Sequence, residues 1–547
     1  MSGGSGWPPS FAAGLHATLR RRLPPRLDGP ELEQLTCDLV AALEQGALTV
    51  PLTPGRLHLA TASGWLDGPA APLLLQGDQI GWRRWLQAMN QMVEALLLRA
   101  EAVSPAPNST SSPDPSPDLN PEQIAAVLAL DRCPVVLISG GPGTGKTSTV
   151  VALLQRAEAR NPGLRIGLAA PTGKAARRLG DAVLSRRSPL PCGTLHRWLE
   201  AGSRGFRRHR LRPLELDLLV IDEMSMLDLA LMQALLDALP QSCRLVLVGD
   251  PAQLPPVGSG AVWHRLQQRD VRERFGPGAV HLVRTYRNRG VLAQLAECLR
   301  QEDPARFLQF LRAMPESSNV RHHQVSIRRL PSWLREHWRR RLEDLASAAF
   351  GLESCSEAEL LARASPLLDA LERELVLCPR RRGPWGLEDV HKSLLGEAAV
   401  ADPRRWPAGL PVICGGNQAD LGLANGDLGV VIGSGAGMRL LFRVMESDGE
   451  VRLRLLQPAR LRRLEPAMAL TIHRAQGSEV DRVTVLWPEV LDQKSLSETP
   501  PVSESIPALG SSEDRCLENC PMDDHQRRLL YTAITRARVS VDLVSVL

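Results

Sequence analysis

The chain has 547 residues, 44% of them hydrophobic and 23% charged, and 65 Lys and Arg against 60 Asp and Glu leave a net charge of +5. That balance fits a soluble globular protein of roughly three to five domains, is too mild to point to nucleic acid by itself, and comes with no stretch near the roughly 20 apolar residues of a membrane span. Ten scattered cysteines without a Cys-x-x-Cys argue against zinc or an iron–sulfur cluster, and an N-terminus without an apolar signal core makes the expected location cytoplasmic.

Residues 1–100 read as a small helical domain. Leu32, Leu35, Leu39 and Leu43 recur at helical spacing, and a second helix from about Arg83 to Ala100 carries Leu86, Met89, Met92, Val93, Leu96 and Leu97 on one face. Nothing in it looks catalytic, and that apolar face could equally serve a partner subunit. Residues 101–118 are rich in Pro and Ser, have no means of burying a core, and mark a linker.

Next comes Asn120-Pro121-Glu122-Gln123, a helix start with Asn120 as cap, Pro121 at the first position and Gln123 in the first turn. The run Pro134–Ser139 reads as a buried strand and feeds Gly140-Gly141-Pro142-Gly143-Thr144-Gly145-Lys146-Thr147, with Ser148 beginning a helical pattern. Glycines are needed there because backbone N–H groups must turn inward around phosphate oxygens at a helix N-terminus. Gly141, Gly143, Thr144, Gly145 and Ser148 are therefore candidate phosphate contacts, Lys146 reaches the β/γ-phosphates, and Thr147 offers a hydroxyl to Mg²⁺.

Strands and motifs then alternate: Leu164–Ala170 into Pro171-Thr172-Gly173-Lys174, then Thr194-Leu195-His196, then Leu218–Ile221 into Asp222-Glu223, then Leu245–Val248 into Gly249-Asp250-Pro251-Ala252-Gln253. Apolar strands separated by helical patterns mean a parallel sheet, with ligands beyond the C-terminal strand ends. Adjacent carboxylates can divide two tasks, Asp222 toward the metal and Glu223 toward the attacking water. In the second half come Tyr286-Arg287, Thr471-Ile472-His473-Arg474-Ala475-Gln476-Gly477 and Tyr531-Thr532-Ala533-Ile534-Thr535-Arg536-Ala537. Arg287 and Arg536 are candidates for stabilising charge that builds on a transferred phosphoryl group. Residues 409–462 hold short strand-like runs around an Asn425-Gly426-Asp427 turn, and 491–523 read as a disordered polar insertion. Arginine clusters at 204–212, 335–341 and 380–382 fit solvated faces as well as they fit a phosphate backbone.

In this order the motifs resemble those of superfamily 1 helicases over about residues 119–547. Leu254-Pro255-Pro256-Val257 after Gln253, and the Asn425-Gly426-Asp427 turn, are similar to the RecD group. Leu73–Trp85 within the first 100 residues resembles the N-terminal domain of that group, which docks on partner subunits. The resemblance implies an α/β fold: two RecA-like parallel-sheet motor domains, a helical N-terminal domain and a small β-rich insertion. The expected boundaries are 1–100, a linker 101–118, a first motor domain 119–278, a second from 279–408 and 463–547, and the insertion 409–462. It implies an ATP- and Mg²⁺-dependent DNA helicase in a RecBCD-type repair complex with RecB-like and RecC-like subunits, acting on single strands and duplex ends. Gln123 would contact adenine and Gln253 would sense the γ-phosphate. Thr172, Thr194, His196, Thr471, His473 and Gln476 would line the strand path. No aromatic follows Gln253, which resembles the 5′-to-3′ branch, and no nuclease constellation stands out. A free-standing helicase, or a scaffold with a dead ATP site, are the alternatives. Ala475 replaces a common serine, and Glu200–Glu215 is short for a strand-separating pin.

Overall fold

The structure is a computed structural model that describes residues 10–101, 118–184, 190–202, 204–286, 290–315, 318–397, 400, 402–445, 451–490 and 522–546. Residues 102–117 of the expected linker 101–118, residues 491–521 of the expected polar insertion 491–523, and Arg287 thus lie outside the described residues. The chain divides into two compact units, Met1–Arg287 with Gly415–Asp427 and Met445–Glu450, and Asn288–Cys414 with Leu428–Val444 and Val451–Leu547.

The first unit is built on a six-stranded parallel sheet in the order Ala279–Leu282, Val135–Gly140, Arg244–Gly249, Leu218–Ile221, Ile166–Ala170, Cys192–Thr194. Two of its central strands, Val135–Gly140 and Leu218–Ile221, are buried at every position because both faces are covered, and are apolar apart from Ser139. Val136, Ile138, Val246 and Val248 point to one side, into a core shared with Val150, Leu153 and Leu154 of the helix Lys146–Arg160 and Leu179 of the helix Gly173–Leu184. Val135, Leu137, Leu245 and Leu247 point to the other.

That second face is closed by the N-terminal region, which corrects two expectations. The segment is not wholly helical: strands Thr49–Pro51, Leu73–Gln76 and Gln79–Trp82 form a three-stranded antiparallel sheet, burying Leu73, Ile80 and Trp82 against Leu32, Leu35, Leu39 and Leu43. Nor is its second helix free for a partner. Met89, Met92, Val93, Leu96 and Leu97 of Arg83–Glu101 are buried in the core that holds Leu235, Leu245 and Trp263. From the same helix, the buried Arg99 guanidinium donates to the carbonyls of Leu239, Pro240, Gln241 and Cys243, just before the strand Arg244–Gly249. Beyond the other end of that strand, the turn at Gly46 (φ +80°) accepts a hydrogen bond from the Ala261 amide at 3.1 Å. A Cβ on Gly46 would stand 2.9 Å from the Pro256 carbonyl oxygen, so only glycine fits the turn.

The boundary between motor domains also falls later than the sequence spacing predicts. Ala279–Leu282 pairs with the strand Val135–Gly140 and belongs to the first sheet. In the second unit a five-stranded parallel sheet has the order Val320–Val325, Ala537–Val546, Val480–Val490, Glu374–Cys378, Leu470–Thr471. The β-rich insertion is a five-stranded antiparallel sheet running from Pro411–Cys414 to Leu464–Pro466, slightly past residue 462. Its Val430, Ile432 and Leu441 pack on Leu345, Ala364, Leu367 and Leu368 of the helices Ser332–Ala349 and Glu357–Leu371. Two RecA-like sheets bear out the fold class. No helix among the described residues is long and apolar enough to cross a membrane.

The six buried apolar side chains of Arg83–Glu101 contribute on the order of 10 kcal/mol, comparable to the net stability of a whole domain. Deleting residues 10–101 is therefore expected to abolish cooperative folding of the first unit. Circular dichroism melting checks this, and a truncated chain that melts cooperatively with wild-type ATP turnover would refute it.

Candidate active site

The strand Val135–Gly140 ends at a loop whose glycines are dictated by space. A Cβ on Gly140 would lie 2.7 Å from Thr144 Oγ1, and one on Gly145 would lie 2.4 Å from Gln123 Nε2. Gly143 and Gly145 adopt φ +74° and +83°, and the helix Lys146–Arg160 starts directly on Gly145. Thr144 Oγ1 donates to the Gly141 carbonyl at 2.9 Å, while Lys146 Nζ donates to Gly140 and Gly141 carbonyls at 2.7 and 2.9 Å. The ammonium is thus folded over the loop, held by neutral acceptors that an anionic oxygen would outcompete. Thr147 and Ser148 stand half-buried in the first turn behind it.

Gln123 serves this loop as well as its own helix. Its Oε1 accepts from the Asn120 amide at 3.0 Å while the Gln123 amide donates to Asn120 Oδ1 at 2.8 Å, a reciprocal capping box. Its Nε2 donates to the Thr144 carbonyl at 3.3 Å. Tyr286 joins them: its amide donates to the Gly143 carbonyl at 2.8 Å, its hydroxyl donates to Gln123 Oε1 at 3.5 Å, and the Arg284 guanidinium lies 5.3 Å from its ring centroid. The sequence pattern singled out Arg287 of the Tyr286-Arg287 motif, for phosphoryl charge, and assigned no task to Tyr286. The half-exposed Tyr286 ring is the residue that the described structure places beside the loop.

The two carboxylates follow the strand Leu218–Ile221. Asp222 is buried; its amide donates to the Ala169 carbonyl at 3.0 Å and its Oδ1 accepts from the Glu223 amide at 2.8 Å. Burial, and then the charge of Glu223, push the Asp222 carboxyl up to about 6, against the pull of Arg178 and Lys146. Glu223 bends the chain through a left-handed residue (φ 56°, ψ 44°), and its Oε1 accepts from Arg178 Nη2 at 3.3 Å. In the neighbouring strand's loop, Asp250 Oδ1 accepts from the Ala252 amide at 3.0 Å and Oδ2 from the buried Gln253 Nε2 at 3.4 Å.

The candidate strand contacts of the first unit are helix caps. Thr172 Oγ1 accepts from the Ala175 amide at 3.3 Å, and Thr194 Oγ1 from the Arg197 amide at 3.2 Å. His196 is half-buried, which lowers its pKa, and its ring lies 5.9 Å from that of Phe206 on a short hairpin, Ala201–Gly202 with Gly205–Phe206. In the second unit Thr471 Oγ1 accepts from the Arg474 amide at 3.4 Å, and Gln476 is buried. His473 stacks on His525 at 6.2 Å, and burial, then His525, push its pKa down to about 4. Arg536 is buried and donates to the carbonyls of Ser478 and Thr532, both at 3.1 Å. The first unit therefore gathers Gln123, Gly141–Ser148, Asp222, Glu223 and Gln253 on adjacent strand ends, while Thr471, His473, Gln476 and Arg536 lie together in the second.

The donor set suits Mg²⁺. Asp222 and the Thr147 hydroxyl are hard oxygen donors, and among the described residues no cluster of three His, Cys, Asp or Glu forms a protein cage. Mg²⁺ is held in this manner, by one or two protein oxygens with phosphate and water completing the shell.

An Asp222 pKa raised above the unfolded value means that stability present at low pH is lost as pH climbs to about 6, because the unfolded chain ionises first. Asp222→Asn is expected to raise the nucleotide-free melting temperature by several degrees at pH 7.5 but not near pH 4, while ending ATP turnover. Equal melting curves at both pH values would contradict this account of Asp222.

A family model described as an AAA domain matches residues 123–259. The RecBCD enzyme subunit RecD of Mycolicibacterium smegmatis is 34% identical over 516 residues, covering 89% of this chain and 81% of that protein. The subunit of the same name from Mycobacterium tuberculosis is 35% identical over 444 residues, covering 77% and 68%. An ATP-dependent RecD2 DNA helicase of Deinococcus radiodurans is 31% identical over 427 residues, 77% of this chain but only 48% of that protein. With one-third identity sustained along four-fifths of a relative, this chain belongs to the RecD family.

Proposed function

We propose that this chain is an ATP-dependent DNA helicase, moving 5′ to 3′ along a single strand as the RecD-type subunit of a RecBCD-type complex that processes duplex ends. The observation that carries this is the intact hydrolytic constellation, Lys146 on the glycine loop with Asp222 and Glu223 at the end of the next strand but one, in a chain of this family. That constellation also weighs against an inactive scaffold. Identity of 34% over 516 residues to the RecD subunit, against 31% over 427 residues to the RecD2 helicase, supports the subunit reading over a free-standing enzyme.

Each residue has a physical task. The loop amides at Gly141–Gly145 and the Lys146 ammonium bind and orient the phosphates, and Lys146 stabilises the charge that spreads over the transferred group. Asp222 and Thr147 would hold Mg²⁺, which supplies charge neutralisation at the phosphates. Glu223 orients and deprotonates the attacking water. Gln123 and the Tyr286 ring form the base-binding side of the loop. Arg536 and Arg287 are the candidates for an additional positive charge on the γ-phosphate, and Gln253 for reporting its presence. Thr172, Thr194, His196, Thr471, His473 and Gln476 grip the strand mainly through phosphates, so binding tolerates any sequence and weakens as salt rises. Exposed Phe206 and Leu211, on and beside the short hairpin, are the apolar surface suited to part a duplex. RecB-like and RecC-like subunits would be the partners and would supply DNA cleavage, in the cytoplasm.

Lys146→Ala is expected to abolish ATP turnover, and Glu223→Gln to keep nucleotide affinity while losing turnover by about a hundredfold or more. Wild-type turnover by Glu223→Gln would remove the base from this scheme. Strand displacement on matched duplexes bearing a 5′ or a 3′ single-stranded tail tests polarity. Activity is expected on the 5′ tail and should fall as salt increases; preference for the 3′ tail would reverse the direction and leave the ATP site as described.

A further inference from the structure

The helix Gly173–Leu184 joins two functions that the scheme above keeps apart. Its first turn is capped by Thr172, a candidate contact to the DNA backbone, and Arg178 lies a turn and a half farther along. From there Arg178 Nη2 donates to Glu223 Oε1 at 3.3 Å. A general base must offer a carboxylate lone pair to water, and here one carboxylate oxygen is already engaged by a guanidinium. The strength of the contact is informative. In the same unit Arg165 and Asp217 form a two-pronged pair at 2.7 and 3.0 Å, as a fixed structural bridge does. The Arg178–Glu223 contact is longer and single-pronged. Arg178 is one-third exposed and Glu223 is buried, so it is the length and the single prong, rather than exposure, that mark this pair as the looser one and able to exchange. Glu223 itself is held by a left-handed backbone, which turns its side chain out of the strand direction.

We propose that Arg178 is a positioning residue that keeps Glu223 at rest until single-stranded DNA engages the helix on which Arg178 stands. This rests on the readings of Glu223 as base and Thr172 as a strand contact. A phosphate drawn to Thr172 acts on the first turn of a helix only 12 residues long. A small shift of that rigid element carries Arg178 with it and frees the carboxylate. DNA stimulation of ATP turnover then follows from breaking one weak ion pair inside the first unit.

The test uses the full chain and measures ATP turnover without DNA and with saturating oligothymidylate. Arg178→Gln should raise DNA-free turnover about three- to tenfold and leave DNA-saturated turnover within about twofold, so the stimulation ratio collapses. Arg178→Lys, which keeps a cation within reach, should restore much of the ratio. A fall in both rates would make Arg178 part of the chemistry, and unchanged rates in a normally melting variant would make the pair a bystander; either overturns the proposal. If Arg178→Gln does not fold, Arg178→Lys must still show a smaller rise in DNA-free turnover, and its absence counts against the idea. Glu223→Gln and Thr172→Val are run alongside. Wild-type turnover by Glu223→Gln refutes the base assignment, and wild-type DNA affinity of Thr172→Val refutes the strand contact, each independently of what Arg178 does.

Discussion

A parallel sheet buried on both faces leaves polar chemistry one place to go, the C-terminal ends of its strands. In the three central strands of the first unit the interiors are buried and apolar but for Ser139, and glycine-loop, carboxylate and amide residues appear immediately past Gly140, Ile221 and Gly249. The arrangement has a cost visible in Asp222, whose carboxyl is driven up to about 6 by the same burial that shapes the site. Charged partners offset that cost only in part, since Lys146 and Arg178 act on it from a distance. The site is thus tuned for a state in which further positive charge arrives.

Much of this was legible in the residues. The glycine loop, the Asp222-Glu223 pair and the sheet class follow from short-range pattern, because each motif is a few consecutive residues with a local conformational demand. The capping box of Asn120 and Gln123 is equally local, and the structure adds that the same carboxamide reaches Thr144. Less legible was anything decided by distant packing. Met89, Met92, Val93, Leu96 and Leu97 make an amphipathic stripe whether it covers the chain's own sheet or a partner, and spacing cannot distinguish the two. The strand Ala279–Leu282 is too short, and too mixed in polarity, to announce which sheet it joins. Arg178 was hidden for a different reason: its partner lies 45 residues away and on another element.

The strand Arg244–Gly249 shows how far the N-terminal region has merged with the motor. Arg99 grips the approach to this strand through four carbonyls, and the Gly46 turn meets the loop after it, a few residues past Gln253. A segment that reads as an appended module is the lid of the first sheet and the rest for the loop that carries Gln253.

That merger bears on how the protein is made. The contacts of Arg99 span about 140 residues of sequence, so the helix leaves the ribosome long before its acceptors do. At ordinary synthesis rates the interval is roughly 10–30 s, orders of magnitude longer than a helix needs to form. Through that interval an amphipathic helix bearing a cation meant for burial has no native surface to lie on. Newborn chains of this protein should therefore depend on holding factors at the tunnel exit more than their finished stability would suggest.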